Sequence, residues 1–252
     1  MRQKQLISSL MLASLMLVGG GCGQSSPAAT STDTTTGVST AVSDTCGNPY
    51  YPFKPGLVIA YRVTPTAGAA GSSDYTIRTV SVSGSMATIR AELANGATTD
   101  MTADCADGSV ALKGTSGLGA AMEGTKFKMT PVSSSGTSMP ADVKANATWE
   151  STEKVQMEFT DDSTMDLGTI TITTNEKSTA LGEESVTVPA GTFTAMKIEL
   201  KRTTSSVAKF GAIPAATDTT TEWWVKGIGM VKSVTVNSDG TSTVEAKSVA
   251  GN

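Results

Sequence analysis

From Cys46 onward apolar residues recur at every second position, and this period restricts the chain to β-strands. Leu57, Ile59, Tyr61 and Val63 alternate with Val58, Ala60 and Arg62. Ala87, Ile89, Ala91 and Leu93 alternate with Thr88, Arg90 and Glu92. Val155, Met157 and Phe159 are set against Lys154, Gln156 and Glu158; Met196, Ile198 and Leu200 are set against Lys197 and Glu199. Ile170 and Ile172 sit among Thr169, Thr171 and Thr173. Alternation of this kind makes one apolar and one polar face, as in half-buried antiparallel strands. Ser and Thr supply 69 of the 252 residues, and the β-branched threonines suit a pleated surface. Breakers separate the runs at Thr64-Pro65, Ser83-Gly84, Asn95-Gly96, Asp107-Gly108, Pro189-Ala190-Gly191 and Asp239-Gly240. After the first residues there is no long segment of period 3.6, and Leu118 to Glu123 has room for one helical turn. The expected fold is all-β: antiparallel curved sheets, half-barrel or sandwich-like.

Two pairs of segments echo one another in the same order. Phe53 to Tyr61 resembles Val143 to Trp149, and Gly84 to Leu93 resembles Gly191 to Leu200, which sets Ile89 against Met196. A strand and a glycine turn follow in each half, at Asp104 to Gly108 and at Trp223 to Gly227. The echoes divide the 46–252 domain into 46–134 and 141–252, either as two stacked sheets or as one continuous layer.

The start of the chain has the three parts of an export signal. Arg2 and Lys4 are positive, Leu6 to Val18 is an apolar run, and Gly19, Gly20 and Gly21 lead to Cys22. The run is shorter than the roughly 20 residues of a membrane-spanning helix. Small residues before a cysteine resemble the lipobox of bacterial lipoproteins. That family favours Leu three residues before the cysteine; here the place holds Gly19, and Leu17 lies further upstream. The resemblance implies cleavage after residue 21 and lipidation of Cys22, with ordinary secretory cleavage nearby as the alternative. Gly23, where an Asp would imply inner-membrane retention, implies the outer membrane in a Gram-negative host. Residues 22–45 are rich in Ser and Thr and read as a disordered tether. Loss of residues 1–21 removes Arg2 and Lys4 and shifts the net charge from −4 to −6. Such a chain lacks the basic footprint of a nucleic-acid binder and the polybasic patch of a lipid-surface binder. Its membrane contact is expected through acyl chains.

The chain has no histidine, so Ser-His-Asp and Cys-His catalysis and histidine-bound zinc are excluded. With Cys22 lipidated, Cys46 and Cys105 form an even pair in an exported chain and read as a disulfide. Closing a loop of that length contributes about 4 kcal/mol in the chain-entropy account. Ser-x-x-Lys occurs at Ser206–Lys209 and at Ser151–Lys154, but neither precedes the helix that the penicillin-recognising enzymes need. Asp100, Asp104 and Asp107, and Asp161, Asp162 and Asp166, lack EF-hand spacing and read as solvated turns. Gly114, Gly117 and Gly119 read as a loop. No residue is assigned to catalysis, a cofactor or a metal.

Trp223 and Trp224 are adjacent, so on a strand they point to opposite faces. One is expected in the core, the other on an outer face, an interface or a groove. Val188-Pro189-Ala190-Gly191-Thr192-Phe193, followed by Trp223-Trp224-Val225-Lys226-Gly227-Ile228-Gly229-Met230-Val231-Lys232, resembles a recurrent pattern of uncharacterised bacterial envelope lipoproteins. The Tyr51-Pro52-Phe53-Lys54-Pro55-Gly56 opening resembles the same group. That resemblance implies an all-β domain of unknown function, distantly like the lipoprotein-carrier half-barrels. In physical terms both motifs are hairpin chemistry. The function expected is an envelope-anchored, non-enzymatic binding or structural module. The alternative is a periplasmic carrier or chaperone for an apolar ligand such as a lipid or lipoprotein. Its partners would be the membrane, through the N-terminal lipid, and an apolar ligand or envelope protein.

Overall fold

The computed structural model describes residues 46–65, 73–94, 96, 98–113, 127–159, 169–238 and 240–251. The expected signal, Cys22, the tether, the Leu118–Glu123 turn, Gly114 to Gly119 and Asp161 to Asp166 lie outside the described residues. Twelve strands follow in order: β1 (Val58–Thr64), β2 (Ser73–Ser83), β3 (Met86–Leu93), β4 (Thr98–Ala106), β5 (Ser109–Lys113), β6 (Phe127–Gly136), β7 (Thr148–Phe159), β8 (Thr169–Val188), β9 (Gly191–Ala208), β10 (Gly211–Val225), β11 (Gly229–Asn237) and β12 (Gly240–Ala250).

All twelve belong to one antiparallel sheet, ordered β5-β4-β3-β2-β1-β12-β11-β10-β9-β8-β7-β6. Each strand pairs with its sequence neighbour, except that β12 returns to pair with β1 and leaves β5 and β6 as edges. The gap between those edges is stitched at one point. Val110 N–H donates to Met139 O at 2.8 Å, and Met139 N–H donates back to Val110 O at 3.0 Å. Leu112 N–H donates to Ser138 Oγ at 3.0 Å. The expected curved sheet is therefore a single layer curled nearly into a barrel, not two stacked sheets. Curling brings strand edges together, and near-closure leaves little backbone unpaired.

In an up-and-down sheet the starts of β1 and β7 and the β4–β5 and β10–β11 turns lie at one end of the barrel. Two lead-in segments, 46–57 and 137–147, cover that end. Asn48, only 4% exposed, ties them together. Its Nδ2 donates to Gly108 O at 2.8 Å and to Pro140 O at 2.9 Å. Its Oδ1 accepts from the Tyr50 and Tyr51 N–H groups. A disulfide joins Cys46 to Cys105. Tyr50, Phe53, Met139, Val143 and Trp149 pack here with Ile89, Met101, Val110, Ile198 and Trp224 into the main core. Among the described residues no comparable segment covers the opposite end.

Six strands precede residue 137 and six follow it, and the two sets share local marks. Leu57 N–H donates to Lys54 O at 3.1 Å, and Ala147 N–H donates to Lys144 O at 3.0 Å. Gly56 (φ 91°) and Asn146 (φ 68°) stand at the same place in these turns, in the left-handed region that glycine and asparagine tolerate best. Phe53 and Val143 are both buried just before them. β2 is bulged between Thr79 and Ser81, and β8 between Ala180 and Gly182; Val80 and Leu181, the residues skipped, are both exposed. By these bulges Ile89 corresponds to Ile198, two residues from the echo visible in the sequence.

Candidate functional site

The inward face of the barrel changes character along its axis. On β9 alternate residues share a face. Met196, Ile198 and Leu200 are buried there near the covered end, and the same face continues with Arg202 and Thr204. Register carries this change across the neighbouring strands. Arg202 pairs with Glu176 on β8 and with Asp218 on β10; Ile198 pairs with Glu222, and Leu200 with Thr220. Thr220 and Glu222 pair in turn with Thr235 and Ser233 on β11. The covered end of the interior is thus hydrocarbon and the middle of the β8–β11 wall is polar; further along the same face Val155, Ile170 and Ala208 are buried again.

Arg202 organises that wall. Its guanidinium lies 3.0 Å from Glu176 and 3.5 Å from Asp218. Burial opposes its charge, but the two carboxylates outweigh burial and raise its pKa. The three side chains still keep 35%, 18% and 23% of their surface accessible, in the order Arg202, Glu176, Asp218. Thr220 and Thr235 share a hydroxyl hydrogen bond of 2.9 Å. Enclosure that desolvates charged groups while leaving them accessible describes an interior that side chains do not fill. A barrel of twelve strands is wider than the eight-stranded kind that side chains just fill.

Glu222 stands at the boundary between the two regions. Burial pushes its carboxyl up to about 7; the Trp224 indole, donating to it at 2.7 Å, works the other way, as does Arg202, while Glu176 adds to the rise. Four aromatic side chains gather round it. Trp224 lies two residues along the same face. Tyr51 comes from the lead-in segment, its ring 4.6 Å from that of Trp224. Tyr61 and Tyr75 pair across β1 and β2 with rings 5.0 Å apart, and the Tyr61 hydroxyl donates to Met230 O at 2.7 Å. Burial raises the pKa of all three phenols, and the Glu222 charge raises each further. The Met230 carbonyl that Tyr61 meets belongs to the residue paired with Trp224, so these rings and Glu222 line one chamber of the barrel.

The two tryptophans do point to opposite faces. Trp224 is the inner one, 7% exposed. Trp223 is outside and half-buried: its Nε1 donates to Glu184 at 2.7 Å, and Lys197 and Lys232 lie 5.5 and 5.8 Å from its ring centre. The indole hydrogen bond, with help from Lys197, lowers the Glu184 pKa against the effect of burial. Ser151 and Lys154, three apart on β7, point to opposite faces; Ser206 is buried on β9, and Lys209 lies in the turn after it. Asp100 pairs with Arg90 and Asp104 with Lys113. Among the described residues no three acidic or cysteine side chains are grouped to hold a metal ion. Two clefts of about 250 and 390 Å³ open elsewhere, one beside Cys46 and Lys226, the other over the outer face of β7–β9. The Val188–Phe193 motif forms the β8–β9 hairpin, where Val188 pairs with Gly191. The Lys226–Ile228 motif forms the β10–β11 turn, with Gly227 at φ 78°.

A family model described as DUF3108-like matches residues 62–246, from β1 to β12. The chain belongs to the DUF3108-like family. Two solved structures are similar to the chain in fold. One, from Bacteroides fragilis, is provisionally described as an exported protein with a YmcC-like fold; it is 16% identical, with a TM-score of 0.52 over 80% of this chain and 99% of that one. The other, from Parabacteroides distasonis, is provisionally described as a lipoprotein; it is 17% identical, with a TM-score of 0.55 over 81% of this chain and 99% of that one. At such identities the likeness is one of fold. No curated protein matches the chain.

Proposed function

We propose that this DUF3108-like protein is exported, lipid-anchored through Cys22, and binds a ligand inside its barrel. The observation that carries the binding role is the Arg202–Glu176–Asp218 cluster, enclosed by the sheet yet still accessible. A purely structural barrel would gain stability by filling that space with hydrocarbon, because buried ion pairs seldom repay their desolvation. The polar β8–β11 wall favours a ligand with polar groups over an acyl chain, which takes an apolar pocket. The export signal and the provisional names of the two similar structures support the envelope location. Cys46 enters at the covered end, so the polar stretch around Arg202 lies beyond the apolar core as seen from the proposed tether.

Two measurements test this. A signal-peptidase II inhibitor should leave an unprocessed precursor in cells; normal processing in its presence removes the lipid anchor from the proposal. Native mass spectrometry of the protein taken from its own membrane should show a non-covalent adduct. That adduct should vanish in Thr204→Trp, whose indole enters the chamber, and survive in Thr203→Trp on the outer face. An adduct indifferent to both, or no adduct at all, refutes binding inside the barrel.

A further inference from the structure

We propose that the chamber recognises an ammonium group, seated against Glu222 among the rings of Tyr51, Tyr61, Tyr75 and Trp224. The proposal rests on the binding role argued above and names the chemistry of the ligand. Three observations lead to it. First, the inward charges do not balance. Among the described residues Glu153, Glu176, Asp218 and Glu222 share the inward face with one cation, Arg202, which Glu176 and Asp218 already engage. An anion entering the chamber meets surplus carboxylate, and a neutral apolar ligand strands Glu222 in a desolvated place.

Second, the walls around Glu222 are aromatic. Tyr51 touches Trp224, whose indole meets Glu222, and Tyr61, stacked on Tyr75, reaches the carbonyl of Met230, the residue paired with Trp224. Ring faces carry negative potential and attract cations, most strongly where water is excluded. The phenols stay protonated and present neutral rings and hydroxyls, leaving Glu222 as the charge of the subsite. Third, the donors suit an organic cation better than a metal ion. Calcium and magnesium take cages of six or more oxygens, with some of those places filled by water. Here a single carboxylate faces aromatic carbon. An alkylammonium uses both surfaces, its charge on Glu222 and its carbons on the rings.

The same ammonium chemistry arrives on a free amine or on a lipid headgroup, and the test separates the two. Isothermal titration of the purified protein compares choline with dimethylbutanol, its uncharged carbon isostere. A third arm uses monomeric short-chain phosphatidylcholine. Choline should bind and dimethylbutanol should not. Glu222→Gln should weaken choline at least about tenfold, the scale of one desolvated cation contact. Tyr75→Leu should weaken it several-fold while Trp223→Ala, outside the barrel, leaves it unchanged. Thermal melting confirms that each variant is folded. Phosphatidylcholine tighter than choline assigns the lipid headgroup; equal or weaker binding assigns the free amine. No binding by choline, equal binding by dimethylbutanol, or a folded Glu222→Gln with wild-type affinity each overturns the ammonium assignment. If the chamber-dependent adduct persists in mass spectrometry while choline fails, the ligand class is wrong and the chamber stands.

Discussion

Glu222 makes the stability of the barrel depend on pH in a direction opposite to that of most carboxylates. Its pKa rises from an ordinary 4.5 to about 7 on folding, chiefly through burial. Between these values the folded chain holds a proton that the unfolded chain releases. Stability is therefore greatest below the unfolded value and is lost as pH climbs to 7. At 1.36 kcal/mol per pH unit the difference amounts to about 3 kcal/mol. Glu222 is only half-buried, so water entering the chamber relieves part of this, and about 1–3 kcal/mol is expected. Glu222→Gln keeps an acceptor for the Trp224 indole and removes the charge. At about pH 8 it should therefore be more stable than wild type, by roughly 3–9 °C in melting temperature for a domain of this size. At about pH 4 the two should melt together. Urea unfolding across this range gives the same comparison as free energies. Parallel pH profiles, or a Gln variant destabilised at high pH, would refute the placement of Glu222 in a desolvated chamber.

Other perturbations have equally definite outcomes. Asn48→Ala removes two donated and two accepted hydrogen bonds under the covered end, and should cost about 2–3 kcal/mol in urea, with faster amide exchange at Tyr50 and Tyr51. Replacing Cys46 and Cys105 together by Ala opens a loop with a sequence separation of 59, and should lower stability by about 4 kcal/mol, read as a lower urea midpoint that no longer responds to reductant. Trp224→Ala should destabilise by about 3–5 kcal/mol, whereas Trp223→Ala should cost about 1 kcal/mol or less. Val110→Pro removes the donor to Met139 and should raise hydrogen exchange along β5 and at Ser138 and Met139, with β8 to β10 unaffected.

The strands were legible in the sequence because burial alternates with period two. Leu57, Ile59, Tyr61 and Val63 are buried as their spacing predicts, and so are Ala87, Ile89 and Ala91. Closure was not legible. The pairing of β1 with β12 joins residues far apart in the chain, for example Val58 with Ala250, and no local pattern encodes it. The chamber was hidden for a different reason. Alternation separates two faces, and the apolar one is read as inner; on β9 the inner face itself is polar from Arg202 to Ser206 before it ends on buried Ala208. Arg202 and Thr204 then look like solvated surface. On β10 the run Asp218, Thr220, Glu222 gives no hint of enclosure until the register sets it against Arg202, Leu200 and Ile198. The best available signal was the Glu222-Trp223-Trp224 run. It sends one indole inward, and the carboxylate two residues earlier must follow the same face.

The cover over the closed end also governs how the domain bears mechanical load. Tension on the chain N-terminal to the barrel arrives at Cys46 before it reaches β1. The disulfide passes it to β4 through Cys105, and Asn48 passes it on to Gly108 and Pro140. Force is thus shared between the two halves of the barrel instead of peeling β1 away from β12 one hydrogen bond at a time. Forced unfolding is governed by the barrier to the first rupture, and here that barrier includes a covalent bond. The barrel thus stays intact under an N-terminal pull that would unzip an unclamped terminal strand.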